Sequence, residues 1–500
     1  MPLPKPRADL TPNSADYETQ PLVAPLGFRE YDARWLYPSQ INLLGVQALG
    51  LGLGTLIQEM GVAPKIVVGH DYRSYSQSIK QSLTVGLMAA GMEVHDIGLA
   101  LSPTAYFAQF ELDIPAVAMV TASHNENGWT GVKMGANRPL TFGPDEIGRL
   151  KQIVLDGAWK ERAGGGYIAV PDMRERYIAD FASKLKLTRP LKVVAACGNG
   201  TAGLFAPRVL EAIGAEVIPL DCELDYTFPR YNPNPEDMEM LHAISAAVKE
   251  HGADVGLAFD GDGDRCGVID NEGNEIFADI VGVMVARDLS AQIPNAQFVA
   301  DVKSTGLFLT DPVLIKNGVK VDYWKTGHSY IKRRANELNA VAGFEKSGHY
   351  FFNPPLGRGY DDGLVAALAI LGMLDRAPDK TMADMRRDLP ASWNSPTMAP
   401  YCPDDVKYDV VDKAVAHFVG LAERGEQLLG QKIKDVVTVN GVRLMLEDGT
   451  WGLIRASSNK PSLVVVVESP TSEAQMRAMF KVIDDYLSTH PEVGEYDQKL

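Results

Sequence analysis

K-I-V-V-G-H-D-Y-R, residues Lys65 to Arg73, is an apolar run that breaks into a polar loop, and its plan recurs twice further along the chain. Lys192 to Gly200 reads K-V-V-A-A-C-G-N-G, and Gln297 to Thr305 reads Q-F-V-A-D-V-K-S-T. A short apolar run bounded by turn residues predicts a buried strand. Each is followed by a helical pattern that stops at a glycine and reopens on a valine: Gly91 and Val94, Gly214 and Val217, Gly318 and Val321. A glycine just past a helix accepts the left-handed backbone that ends it. One α/β unit used three times is the resulting expectation.

In each unit a later apolar run enters a loop rich in chemistry. Pro115 to Val120 leads into T-A-S-H-N, Asp254 to Phe259 into D-G-D-G-D-R (Asp260 to Arg265), and Val341 to Phe344 into E-K-S-G-H (Glu345 to His349). Ligands of α/β sheets bind at the carboxyl ends of the strands, so units packed side by side would let these loops converge on one cleft. Ser123 is thereby offered to that cleft, with His124 beside it and Lys133 further on. A Ser/Asn turn that caps the next helix is the competing reading of the same residues.

The three glycines Gly164 to Gly166 precede a helical stretch, Met173 to Leu187, and Pro396, Pro400 and Pro403 mark the entry to a fourth region. There a helix over Val410 to Leu429 is followed by short apolar runs separated by Asn440-Gly441 and Asp448-Gly449, which are hairpin signals. The predicted fold class is α/β: three similar α/β domains with mixed sheets plus a C-terminal α+β domain. The boundaries fall at 1–170, 171–284, 285–395 and 396–500.

Five hundred residues with 46% hydrophobic and 22% charged side chains describe a globular chain with several cores. A net charge of -16 argues against binding a nucleic-acid backbone, so any anion site must be locally positive. Cys197, Cys222, Cys266 and Cys402 show neither zinc-site nor disulfide spacing and point to a reducing compartment. The proline-rich start lacks the apolar core of a signal peptide and reads as a loose arm. The longest apolar stretch, Leu43 to Ile57, is Gly-rich and too short for a bilayer, so a cytoplasmic location with no membrane partner is expected.

Asp260, Asp262 and Asp264 alternate with glycine and can turn three hard oxygen donors toward one point, which suits Mg²⁺. An EF-hand is excluded, because Arg265 stands at the sixth position and Asn271 at the twelfth. Arg455-Ala-Ser-Ser-Asn offers a guanidinium, two hydroxyls and an amide, either a phosphate clamp or an ordinary turn. Lys325-Thr326-Gly327-His328 can hold phosphate or simply end a strand. Glu345, Ser347 and His349 suit neighbouring sugar hydroxyls or a satisfied polar loop. His242, His251 and His417 lie in helical patterns and read as structural or surface.

Taken in order, F-R-E-Y-D-A-R (Phe28 to Arg34), T-A-S-H-N, D-G-D-G-D-R, T-G-H, E-K-S-G-H and the C-terminal Arg-x-Ser loop resemble the α-D-phosphohexomutases of the phosphomannomutase/phosphoglucomutase type over nearly the whole chain. The resemblance implies four domains around a central cleft and a phosphoserine at Ser123. It implies Mg²⁺ held by Asp260, Asp262, Asp264 and an oxygen on Ser123, and sugar hydroxyls O3 and O4 held by Glu345 and Ser347. Tyr31, Arg34, Lys133, Arg265, Lys303, Gly327, His328 and His349 match positions lining the family's site, and Arg455, Ser457, Ser458 and Asn459 match its phosphate-gripping loop. Hexose 1,6-bisphosphate is then both intermediate and activator. Lys133 is the expected general acid/base, its ammonium shifted by neighbouring cations, with Arg34 and His349 in support. Departures are Trp35 for a usual Gly, His70 for Arg, Ala196 for Asp and Lys460 for Glu. Three alternatives stay open: a phosphoglucosamine mutase, a phosphatase with Asp260 as nucleophile, and a non-enzymatic phosphosugar sensor.

Overall fold

A computed structural model describes residues 3–500 apart from Asn459. It falls into two compact units, Met1–Ala278 with Ser347–Ala383, and Asp279–Lys346 with Asp384–Leu500.

The first unit holds two mixed sheets. In one, Lys65–His70 runs parallel to both Glu93–Leu99 and Ala116–Val120, and Trp129–Gly135 returns antiparallel beside Ala116–Val120. Parallel neighbours need a crossover, supplied by the helices Ser76–Ala89 and Ser102–Glu111. The other sheet repeats the plan: Lys192–Ala196 lies parallel to Glu216–Leu220 and Val255–Phe259, and Cys266–Asp270 returns antiparallel. In the second unit Gln297–Asp301 is parallel to Lys320–Trp324 and Ala342–Phe344. Gly91, Gly214 and Gly318 all have positive φ, as the stop after each helix requires.

Ala116–Val120 is buried along its length. Burying Val117 and Met119 contributes about 1.5–3 kcal/mol each, which fixes the strand that ends at the Ser123 loop. The Gly-rich stretch is the helix Leu43–Glu59, and its glycines have a packing reason. A Cβ on Gly50 would strike the Leu83 carbonyl, and one on Gly86 the Gln47 carbonyl, so this helix meets Ser76–Ala89 backbone to backbone. Among the described residues no helix is long and apolar enough to cross a membrane.

The C-terminal part of the second unit is an antiparallel sheet through Gln431–Val437, Val442–Leu446, Trp451–Ala456 and Leu463–Ser469. Gly441 and Gly449 sit at the two hairpin turns with φ of +79° and +87°. Phe418, Met479 and Ile483 pack on Leu444 and Val465 to close its core.

Two expectations need correction. The chain start is no loose arm: Arg7 pairs with Leu22, its guanidinium binds Asp9 and Asp16, and Leu10 is buried. Charged and proline residues concealed this, because the contacts they make lie across a loop. The helix expected to reach Leu429 is Lys407–Glu423, since Gly425 takes φ +68° and the chain re-enters the sheet at Gln427–Leu428.

Candidate active site

Ser123 leaves the end of Ala116–Val120 with φ +53°, a left-handed backbone that a serine rarely adopts. Its N–H donates to Thr121 Oγ1 at 2.8 Å, and its own Oγ donates to Asp260 Oδ2 at 2.8 Å. The Asp loop comes this close because residue 261 is glycine: a Cβ there would lie 2.5 Å from the Ser123 carbonyl oxygen. Asp260 Oδ1 accepts the N–H groups of Asp264 and Arg265, which curls the loop and turns alternate carboxylates inward.

All three carboxylates are fully buried. Burial, then the charges of Asp262 and Asp264, push the Asp260 carboxyl up to about 8. Burial acts in the same direction on Asp262, but Lys133 and a hydrogen bond from Ser102 outweigh it and hold Asp262 below the usual carboxylate range. Lys133, on Trp129–Gly135, donates to Asp262 Oδ2 at 2.7 Å and to Asp264 Oδ2. Burial would lower its pKa, yet those carboxylates raise it well above the ordinary lysine value. The expectation that neighbouring cations perturb Lys133 is therefore corrected: its immediate partners are anions and it is a firm ammonium.

Carboxylate oxygens of Asp260, Asp262 and Asp264 lie within 4.8 Å of one another. Oδ1 of Asp262 and Oδ1 of Asp264 are buried with no hydrogen-bond partner among the described residues. Buried acceptors left this way are costly unless something positive reaches them, and three hard oxygens beside a serine hydroxyl fit a divalent cation such as Mg²⁺.

Cationic groups surround this centre. Arg34, on Ala33–Leu36, donates to Asp32 Oδ2 and Asn125 Oδ1, both at 2.9 Å. Arg265 Nε donates to His349 Nε2 at 3.0 Å. The proton of that ring is accordingly on Nδ1, 3.1 Å from Asp361 Oδ2 and 3.7 Å from Asp264. Burial, then Arg265 and Arg34, push the His124 ring well below its ordinary pKa, so it is neutral 3.2 Å from the Ser123 hydroxyl. Tyr31 is buried and Ser347 half-buried in the same unit. Asp361 and Ser102 were missed from sequence; neither lies in a motif, and only the folded chain brings them to the carboxylates.

The remaining candidates belong to the second unit. Asp301 ends the strand Gln297–Asp301 and accepts the hydroxyls of Ser304 and Thr326, with Lys303 Nζ at 3.9 Å. Gly327, at φ +133°, donates its N–H to Glu345 Oε1 at 2.6 Å, and His328 opens the helix His328–Glu337. Arg455 is buried and donates to the Ala456 carbonyl, while Ser457 Oγ accepts the Lys460 N–H. Ser458 is half-buried, and Asn459 lies outside the described residues. Lys407, which no motif marked, donates to the carbonyls of Ser457 and Lys460 at 2.6 and 3.0 Å and so closes the loop.

The chain matches a family in four consecutive parts, described as phosphoglucomutase/phosphomannomutase alpha/beta/alpha domain I over residues 25–161, domain II over 175–273, domain III over 277–393, and the C-terminal domain over 406–485. It is 33% identical over 471 residues to a phosphomannomutase/phosphoglucomutase of Pseudomonas putida, covering 93% of this chain and 96% of that protein. A phosphoglucomutase of Neisseria meningitidis is 31% identical over 461 residues, 91% and 96% of the two chains. Among solved structures, a phosphoglucomutase/phosphomannomutase family protein of Burkholderia thailandensis superposes with a TM-score of 0.83 at 29% identity, covering 95% of this chain and 99% of the other.

Proposed function

The chain belongs to the phosphoglucomutase/phosphomannomutase family, and from that premise we propose that it interconverts hexose 1-phosphates and hexose 6-phosphates, mannose and glucose phosphates alike, through a phosphoserine at Ser123. The observation that carries this reading is the Ser123 hydroxyl, 2.8 Å from Asp260 within a buried trio of carboxylates, two of whose oxygens have no hydrogen-bond partner among the described residues. Four domains at 1–170, 171–284, 285–395 and 396–500 are part of it. So is a cytoplasmic location, supported by four unpaired cysteines.

The reaction moves a phosphoryl group from the Ser123 oxygen to the free hydroxyl of the sugar, breaking one P–O bond and forming another, with hexose 1,6-bisphosphate between the two half-reactions. Such transfers need in-line positioning, charge neutralisation and a place for one proton. Asp260, Asp262 and Asp264 would hold Mg²⁺, which when bound neutralises charge on the transferring oxygens. Arg265 and Arg34 add fixed positive charge from the same unit. The proton lost by the attacking sugar hydroxyl must end on the Ser123 oxygen as its P–O bond breaks. Lys133, held as an ammonium by Asp262 and Asp264, is the proposed carrier, giving its proton to that oxygen and taking the sugar's, and His349, beside Asp361 and Arg265, is proposed to support it. Glu345 and Ser347 are proposed to grip O3 and O4, which glucose and mannose share, and Tyr31, Lys303, Gly327 and His328 to line the sugar site. Arg455, Ser457, Ser458 and Asn459 are proposed for the phosphate that is not being transferred.

The phosphatase alternative is disfavoured by Asp260 itself, whose two oxygens already accept hydrogen bonds from the Ser123 hydroxyl and from the N–H groups of Asp264 and Arg265. The test is incubation with glucose 1,6-bisphosphate and Mg²⁺ followed by phosphopeptide mapping, with conversion of glucose 1-phosphate, mannose 1-phosphate and glucosamine 1-phosphate assayed in wild type and Ser123→Ala. Label on Ser123 and loss of conversion in the variant are expected. Unlabelled protein, or activity that survives the substitution, would sink the proposal, and a strong preference for the glucosamine ester would move it to the phosphoglucosamine reading.

A further inference from the structure

The loop that opens the first repeated unit, His70-Asp71-Tyr72-Arg73, carries two charged side chains that no part of the mechanism uses, and both are buried. Arg73 reaches across to the Ser123 loop. Its Nη2 donates to the carbonyls of Ser123 at 2.9 Å and Asn125 at 2.6 Å, and its Nη1 to that of Glu126 at 3.1 Å. Asp71 holds the other end of the same loop: its Oδ2 accepts the Thr121 hydroxyl at 2.8 Å and the Ala122 N–H at 3.3 Å. Thr121 Oγ1 in turn accepts the Ser123 N–H at 2.8 Å. The two charges are tied to each other, Arg73 Nε standing 3.4 Å from Asp71 Oδ2, and Arg73 also rests against the ring of Phe228 at 5.3 Å.

We propose that Asp71 and Arg73 are a positioning pair that holds the backbone of Ser123 in its left-handed conformation and so aims its oxygen at the point of phosphoryl transfer. This rests on the reading of Ser123 as the phosphoryl carrier. A planar guanidinium can bind three carbonyls that diverge from one point, and an ammonium on a flexible stem cannot reproduce that fork. The strained φ of Ser123 needs such surroundings, because a non-glycine residue persists there only when neighbouring contacts over-determine it. Serine carries the group in two directions, from sugar to enzyme and back, so a displaced oxygen slows both half-reactions without touching the groups that bind the sugar.

The experiment uses full-length enzyme with Arg73→Lys and Asp71→Asn, reading kcat and KM for glucose 1-phosphate and the rate at which glucose 1,6-bisphosphate labels Ser123. An offset of about 1 Å in a reacting atom costs on the order of 10²-fold, so kcat and the labelling rate should fall together by that factor while KM stays within about threefold. A kcat within about threefold of wild type in Arg73→Lys, or a rise in KM that accounts for the whole loss, overturns the proposal. If Arg73→Lys does not fold, Asp71→Asn is judged by the same criteria. Wild-type protein that takes no label at Ser123 removes the carrier reading and the pair with it. Wild type and Arg73→Lys labelled at one rate removes the pair alone.

Discussion

The second and third repeats both end in buried carboxylates that accept hydrogen bonds, but in the second some of the oxygens are left over. In the third, Asp301 accepts the Ser304 and Thr326 hydroxyls and the Lys346 N–H, and Glu345 accepts the Gly327 N–H. In the second, Asp262 Oδ1 and Asp264 Oδ1 are buried with no hydrogen-bond partner among the described residues, the latter 3.7 Å from His349 Nδ1, and burial, then its neighbours' charges, drive Asp260 toward its neutral form. Counting buried acids does not separate the two loops; counting the oxygens left without a hydrogen bond does.

The sharpest way to break this contrast is Asp260→Asn. Near neutral pH the native carboxyl is largely protonated without a cation, so the amide is nearly isosteric and the melting temperature in chelator should barely change. Activity should fall by at least about 10³-fold and no longer respond to Mg²⁺, as read by paired calorimetry and assay. An equal loss of stability would place Asp260 with the structural acids. Asp301→Ala should do the opposite to the first-order balance: it strips the acceptor from two buried hydroxyls and lowers stability by about 2–3 kcal/mol in denaturant unfolding.

The approach of the Asp loop to the Ser123 loop can also be changed. Gly261→Ala puts a methyl 2.5 Å from the Ser123 carbonyl, so the serine and the Asp loop must part. Activity is expected to drop about tenfold or more with folding intact. Unchanged activity would mean that the close approach of the loops is not needed.

Asp362 offers a test through pH, a buried acid in the first unit that is well supplied with donors: Tyr177 Oη and the N–H groups of Leu364 and Val365. Burial still raises it from 3.8 to about 7, against those hydrogen bonds. A raised folded pKa means that the folded chain binds the proton more tightly than the unfolded one. The contribution is complete below about pH 4 and lost as pH rises toward about 7, at up to about 1.4 kcal/mol per unit. Asp362→Asn should flatten that part of the stability profile, measured by urea unfolding across the window.

Much of this was legible in the chain. The three strands at Lys65, Lys192 and Gln297 and the glycines that stop their helices are local signals, carried by a few neighbouring residues each. D-G-D-G-D-R brings its three carboxylates together for the same reason. What stayed hidden depends on contacts between distant segments: Lys133 between Asp262 and Asp264, Asp361 behind His349, Ser102 on Asp262, and Arg73 on the Ser123 loop. Sequence order shows residue type but not what lies opposite, and nothing near Lys133 in the chain announces that its partners are acids.

That same ammonium has a consequence for how the molecule is made. A tethered positive charge already sits inside the acidic loop, so the polypeptide carries its own counter-ion through synthesis and need not wait for a metal supply to mature. Refolding in the presence of EDTA should reach the native state, with magnesium loaded afterwards as a late and reversible acquisition.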